Sequence, residues 1–263
     1  MRKISILMVS VLCMMMLVGA EAQVPTAFVS KGTTDIQAQP HTITQTSSGA
    51  QWAPVDPMVR SITMDNGLPS NAVRSVVQGS KGYMWFGTDN GLCRFDGYDV
   101  KTYYNPFTAI DQYVAALTAC EEGLLVGCNN GAYLFSYETD RFQKLSDKIT
   151  APVLNFSLDG DQNVWISTNG QGVFRYNRTT HELHQYPMKN IQGIVQCTLV
   201  DANNQVWMLS NHSKASIYHL NKSTDQFEAF PVRGDANKFY GLAMLASPDG
   251  NIYVGTWDNG LYK

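Results

Sequence analysis

Past residue 70 the chain alternates apolar and polar positions in runs of four to eight residues, and each run ends at Gly, Asn or Asp. The clearest stretch, 71–104, reads NAVRSVVQ, GSKG, YMWFGT, DNG, LCRFD, GYD, VKTYY. Period-two alternation broken by turn residues predicts strand, turn, strand, turn, strand, turn, strand. The Gly and Asn/Asp turns suit the positive φ that tight hairpins need. The centre of this unit returns as WFGTDNGL from Trp85, LVGCNNGA from Leu125, WISTNGQGV from Trp165 and YVGTWDNGL from Tyr253. A degenerate copy, WMLSNHSKASIY, begins at Trp207. The anchors are 40, 40, 42 and 46 residues apart, and four strands per forty residues is the arithmetic of a β-propeller blade. No 3.6-residue periodicity competes. The fold class is therefore all-β, a β-propeller of four-stranded antiparallel blades near 71–104, 112–145, 151–187, 193–231 and 239–263, the last incomplete.

A lone blade cannot cover both its faces, so blades stack and each buries its neighbour. The second-strand residues Trp85, Trp165, Trp207 and Tyr253 are expected to plug the space between blades, as a structural repeat rather than a sugar platform. Residues 59–64 (VRSITM) resemble VKTYY in alternation and could close the ring as the outer strand of blade five. Two readings stay open, a closed five-bladed ring and, favoured, an array lacking further blades. The second predicts an exposed last blade.

The N-terminal region reads differently. Arg2 and Lys3 precede an apolar run over 4–18, and Ala20 and Ala22 frame a small-x-small site, so 1–22 reads as a signal peptide and Gln23 as the mature start. That run is shorter than the roughly 20 residues of a spanning helix. Half of the residues in 23–58 are Thr, Gln, Ser or Pro, which predicts a disordered polar leader.

Charged residues make up only 16% of the chain and the net charge is −3, which argues against an electrostatic nucleic-acid binder. Beyond the signal, Cys93, Cys120, Cys128 and Cys197 follow no CxxC metal spacing and sit at unrelated strand positions, so they read as core or strand residues rather than bridges.

The string GLPSNAVRSVVQGSKGYMWFGTDNGLCRFDGYDVKTYY resembles the two-component-regulator propeller repeat, and most of all the periplasmic sensor region of hybrid two-component regulators of gut Bacteroidetes. The resemblance spans 59–263 and weakens where Leu125 replaces the Trp and where Asn211, His212 and Ser213 replace the Asn-Gly turn. It implies an exported sensor propeller, one of about seven blades in that family. In an intact parent, a neighbouring propeller and an immunoglobulin-like domain would precede a membrane helix and a histidine kinase. It also implies phosphorelay, carbohydrate sensing and a homodimer at the level of that parent. The chain itself carries no phosphoacceptor motif and no nucleotide-binding glycine box.

Candidate chemistry is sparse. Asp159, Asp161 and Asn163 alternate like a calcium loop but stand where GSKG and SPDGN make the first hairpin turn. HELH at 181–184 lacks the HExxH spacing. No GxSxG elbow or P-loop occurs, no cofactor or metal is expected, and the expectation is a non-catalytic segment. The alternative is a self-contained propeller enzyme, a glycan hydrolase or lyase gathering carboxylates from several blades. A ligand would meet the face where second-to-third-strand turns and blade-to-blade connections emerge together. The candidates there are Asp89, Asn90, Asn129, Asn130, Asn169, Gln171, Tyr240, Trp257 and Asn259, amides and aromatics suited to an oligosaccharide.

Overall fold

The computed structural model describes residues 61–103, 112–187, 194–211, 217–232, 240–257 and 260–263. The expected signal segment and leader lie outside them. Among the described residues, nineteen strands form five antiparallel sheets, each wound in chain order. Blade one comprises β1 (Val73–Gln78), β2 (Met84–Thr88), β3 (Gly91–Phe95) and β4 (Val100–Tyr103). Blade two comprises β5 (Val114–Ala119), β6 (Gly123–Cys128), β7 (Gly131–Ser136) and β8 (Arg141–Lys144). Blade three holds β9 (Val153–Leu158), β10 (Asn163–Thr168), β11 (Gly172–Asn177) and β12 (Leu183–Tyr186). Blade four holds β13 (Ile194–Val200), β14 (Val206–Asn211), β15 (Ile217–Asn221) and β16 (Gln226–Ala229). Blade five has three strands, β17 (Gly241–Ala246), β18 (Ile252–Thr256) and β19 (Leu261–Tyr262).

First strands stack on first strands, β1 on β5, β5 on β9, β9 on β13 and β13 on β17, which makes the five sheets a β-propeller arc. β1 and β17 make no comparable contact, so the arc is open between blades one and five. The closing strand expected at 59–64 does not form among the described residues. Residues 61–63 are irregular and Met64–Asn66 is a single 3-10 turn. Thr63 and Asn66 fix that turn reciprocally: the Thr63 hydroxyl accepts from the Asp65 amide, and the Asn66 side chain accepts from the Thr63 amide. This capping box diverts the backbone from an extended path. Ile62 and Leu68 then pack on blade one rather than pairing with blade five.

Alternation gives each blade two apolar faces, a trailing face toward the next blade and a leading face toward the previous one. Trp85 and Leu92, on the trailing face of blade one, bury against Val114, Leu124, Val126, Tyr133 and Phe135 of blade two. Trp165 of blade three does the same against Val195, Val206, Met208 and Tyr218 of blade four. Leu125 takes the slot in blade two and packs with Val153, Phe156 and Ile166 of blade three. Trp207 packs against the cluster holding Met244 and Val254 of blade five.

The glycine of the WFGT motif has a packing reason. A Cβ on Gly87 would stand 2.8 Å from Val114 Cγ1 of the next blade, and one on Gly127 2.7 Å from Val153 Cγ1. Blade three places Ser167 at this point, wholly buried, and its hydroxyl donates to Thr198 Oγ1 at 3.3 Å. All four of Cys93, Cys120, Cys128 and Cys197 are buried, and among the described residues none of them forms a disulfide.

Candidate functional site

Within each blade the strands alternate in direction, so the turns after the second strand share one end of the arc with the starts of the first strands. This end, the turn face, is built from a repeated backbone clasp. The amide just after the second strand donates to the carbonyl just before the first: Asp89 to Ala72 at 3.2 Å, Asn169 to Pro152 at 2.8 Å and Trp257 to Tyr240 at 2.9 Å. In blade four Ile194 and Asn211 are direct strand partners. In blade two the register places Tyr113 beside Asn129, one step beyond the Val114–Cys128 pair. The face therefore carries five couples: Ala72 with Asp89, Tyr113 with Asn129, Pro152 with Asn169, Ile194 with Asn211 and Tyr240 with Trp257.

A second repeated feature adjoins these couples. Every first strand has a β-bulge at its second or third residue, leaving Arg74, Ala115, Leu154, Gln196 and Leu242 outside the register. Bulges re-aim a side chain and recur beside binding sites. Arg74 is the charged member. Its Nε and Nη2 donate to the two carboxylate oxygens of Asp89 at 2.5 and 2.8 Å, and its guanidinium lies 5.5 Å from the Tyr113 ring centroid. Hydrogen bonding from Arg74 holds the Asp89 carboxyl below its ordinary range, and the same bond raises the Arg74 guanidinium.

The residues expected from sequence divide into two groups. Asn129 and Asn169 present exposed amides, and Asn130 is exposed beside them. Tyr240 and Trp257, joined through the backbone, are 42% and 59% exposed, which is unusual for aromatics and adds apolar surface to this face. Ile194, 40% exposed, adds to the apolar surface of the neighbouring blade. Asp89, Asn90 and Gln171 are engaged within the fold. Asn90 donates to the Pro69 carbonyl at 3.3 Å. Gln171 Oε1 accepts from the Thr150 and Ala151 amides at 2.9 and 2.8 Å, and its Nε2 donates to the Lys148 carbonyl at 3.1 Å, so its amide clamps the connection into blade three. Asn259 lies outside the described residues. Arg74, Tyr113 and Ile194 were not singled out from sequence; Arg74 escaped because a bulge leaves no mark in an alternation pattern. Spacing could have found Tyr113 and Ile194, which stand at the position of Tyr240 in their own blades.

The Asp159 loop is the first hairpin turn of blade three. Asp159 Oδ1 accepts from the Asp161 and Asn163 amides at 2.9 Å, and Oδ2 accepts from the Trp165 indole at 2.8 Å. Among the described residues, no group of three or more His, Cys, Asp or Glu side chains is arranged to hold a metal ion. No helix among them is long and apolar enough to cross a membrane. A shallow depression lined by Leu134, Ser136, Arg141 and Phe142 lies at the third-to-fourth-strand hairpin of blade two, at the end opposite the turn face.

Comparison with known proteins bears on the repeat and the arc. Residues 67–90 match the family model of the two component regulator propeller. The matched segment runs from Gly67 through the first two strands of blade one. No curated protein matches the chain in sequence. The arc is similar to the extracellular domain of BT3049 from B. thetaiotaomicron, assigned as a hybrid two component system, at 18% identity and TM-score 0.65, covering 77% of this chain and 30% of that one. It is similar to the corresponding domain of BT4673 at 19% identity and TM-score 0.61, covering 70% and 25%. It is also similar to virginiamycin B lyase from Staphylococcus aureus at 15% identity and TM-score 0.57, covering 70% and 62%. At these identities the likeness is one of fold, and the chain spans less than a third of either two-component structure.

Proposed function

We propose that this chain is the sensing propeller of an exported two-component regulator, non-catalytic in itself, that takes a glycan-derived ligand on its turn face. The observation that carries the reading is the regulator propeller repeat at 67–90, set in an arc similar to extracellular domains of hybrid two component systems. The turn face supports it, since exposed amides of Asn129 and Asn169 suit sugar hydroxyls and the exposed rings of Tyr240 and Trp257 suit the C–H face of a pyranose. Ligand binding would shift a neighbouring propeller and an immunoglobulin-like domain of a longer protein, and through them a kinase across the membrane. Such a protein would be held in the inner membrane with this propeller in the periplasm, and would signal as a homodimer.

Titration calorimetry of the exported protein against a panel of gut-polysaccharide oligosaccharides tests the reading. Trp257→Ala and Tyr240→Ala should weaken the responding ligand at least about tenfold, the equivalent of roughly 1.4 kcal/mol, with the melting temperature unchanged. Conversion of the oligosaccharide to product would overturn it in favour of the lyase or hydrolase alternative, a chemistry the propeller fold also houses.

A further inference from the structure

Blade one is fastened to blade two by hydrogen bonds at both edges of their interface. At the inner edge Ser75 Oγ accepts from the Leu117 amide at 3.2 Å. At the outer edge Asp140, in the last hairpin of blade two, accepts from Lys101 Nζ at 3.0 Å and Tyr103 Oη at 3.1 Å. Blade three is fastened to blade four in the same two places. Asn155, at the position of Ser75, accepts from the Thr198 amide at 3.1 Å. Asp225, at the position of Asp140, accepts from Tyr186 Oη at 2.7 Å and Arg175 Nη1 at 3.1 Å. The likeness extends to the backbone, since Asp140 and Asp225 both hold a left-handed φ, 55° and 50°. Tyr103 and Tyr186 both tilt by 33° against the slot tryptophan of their own blade.

Blade two lacks these groups on the face it turns to blade three. Ala116 stands at the position of Ser75, Gln143 at that of Lys101 and Leu145 at that of Tyr103. Opposite them His181 takes the place of Asp140 and turns to its own blade, its Nδ1 2.7 Å from Tyr176 Oη. The packing is aliphatic, with Leu125, Leu134, Leu145 and Leu183 in one cluster with Val153 and Ile166. Apart from the connecting chain, a single ion pair crosses this interface among the described residues, from Arg178 Nη1 to Glu122 in the first hairpin of blade two at 2.7 Å.

Apolar contact is non-directional and holds two sheets together over a range of angles, whereas a hydrogen bond weakens steeply off its line. The outer-edge ion pairs are partly exposed and add little stability, so what they contribute is a fixed angle. We propose that the arc bends between blades two and three, with blades one and two, and blades three and four, moving as two rigid pairs about the Glu122–Arg178 contact. A turn-face ligand bridging Asn129 and Asn169 would set the angle of this joint. That role rests on the ligand reading, whereas the joint itself is tested without ligand.

Electron–electron distance measurements on nitroxide pairs in the exported protein make the test. The labels go on exposed hairpin residues as Tyr98→Cys with Glu138→Cys, Glu138→Cys with Thr179→Cys, and Thr179→Cys with Ser223→Cys. Each pair shares a labelled residue with the next, so local hairpin motion cancels. The Glu138–Thr179 distribution should be at least about twofold wider than the other two, as expected of an ensemble free at one joint. Asp140→Ala should widen the first pair and Asp225→Ala the third. Leu145→Tyr with His181→Asp, which installs the missing latch, should narrow the middle one. If circular dichroism shows that double variant unfolded, the two aspartate removals decide. Equal widths in the three pairs of the parent protein overturn the proposal, and so do widths that ignore the loss of Asp140 and Asp225.

Discussion

Blades one and three carry the same tryptophan in the same place, and they solve the same problem in different ways. Trp85 and Trp165 are 1% and 2% exposed, each capped by the sheet that follows. In blade three the indole N–H donates to Asp159, six residues earlier at the head of the first hairpin, and blade four repeats this with Trp207 and Asp201 at 3.0 Å. In blade one the residue six earlier is Gly79. A Cβ there would lie 2.6 Å from the Tyr137 hydroxyl and 2.8 Å from Trp85 Nε1, so the space of the missing carboxylate is taken by a ring from blade two. Tyr137 stacks on Trp85 at 5.7 Å, and among the described residues neither the indole nitrogen nor the phenol oxygen has a hydrogen-bond partner. Blade three thus satisfies its buried donor within the repeat, while blade one gives up that hydrogen bond for aromatic packing across the interface. A repeat that looks strongest in sequence need not be the one with every buried group satisfied.

The largest effect that separates the two should come from Trp165→Ala, about 3–5 kcal/mol for a large buried aromatic. Trp85→Ala should cost less in the same urea titration, because it strands no carboxylate. Equal costs would show that the indole hydrogen bond contributes nothing. Asp159→Ala should follow at about 2–3 kcal/mol, the upper part of the range for an orphaned buried donor, since it also releases the loop amides. Installing the missing group in blade one should not help. Gly79→Asp should destabilise by about 1–2 kcal/mol as overpacking, because the nearest atom in its way is the tip of the Tyr137 side chain, which can shift, with the Trp85 indole close behind. Pairing it with Tyr137→Ala should recover part of that loss, and a double variant no better than the sum of its parts would refute the steric account.

The smallest effect concerns thiols packed beside these layers. Burial pushes Cys93 to about 12 and, with a hydrogen bond and repulsion from Glu122, Cys120 to about 11. Both stay neutral while folded, whereas the unfolded chain ionises near 9. Stability should therefore hold below that pH and decline as pH rises above it. Thiol reagents at pH 8 should label neither cysteine until urea is added; labelling of the folded chain would show the core to be open.

The blade count and strand order could be read because the anchor residues recur at nearly fixed spacing, and five sheets form where five repeats stand. The closing strand could not. Its alternation was real, but Thr63 and Asn66 cap a short turn, a local hydrogen-bond choice that a period-two pattern does not register. The turn face was legible as a place, since its turns must emerge together. The role of each amide was not. Gln171 looks like any exposed polar turn residue, yet three backbone groups occupy its amide. The spacing of six between Asp159 and Trp165, and between Asp201 and Trp207, was visible in the sequence and was read only as turn chemistry.

The bulge at the start of every first strand has a consequence for how such a scaffold can change. The extra residue lies outside the ladder, so its identity is not tied to a cross-strand partner, and across five blades it is Arg, Ala, Leu, Gln and Leu. Packing constrains the repeat everywhere else along these strands. A lineage that keeps its aromatic slots can therefore rewrite one position per blade and present a new combination at the mouth of the arc without altering a single strand pairing.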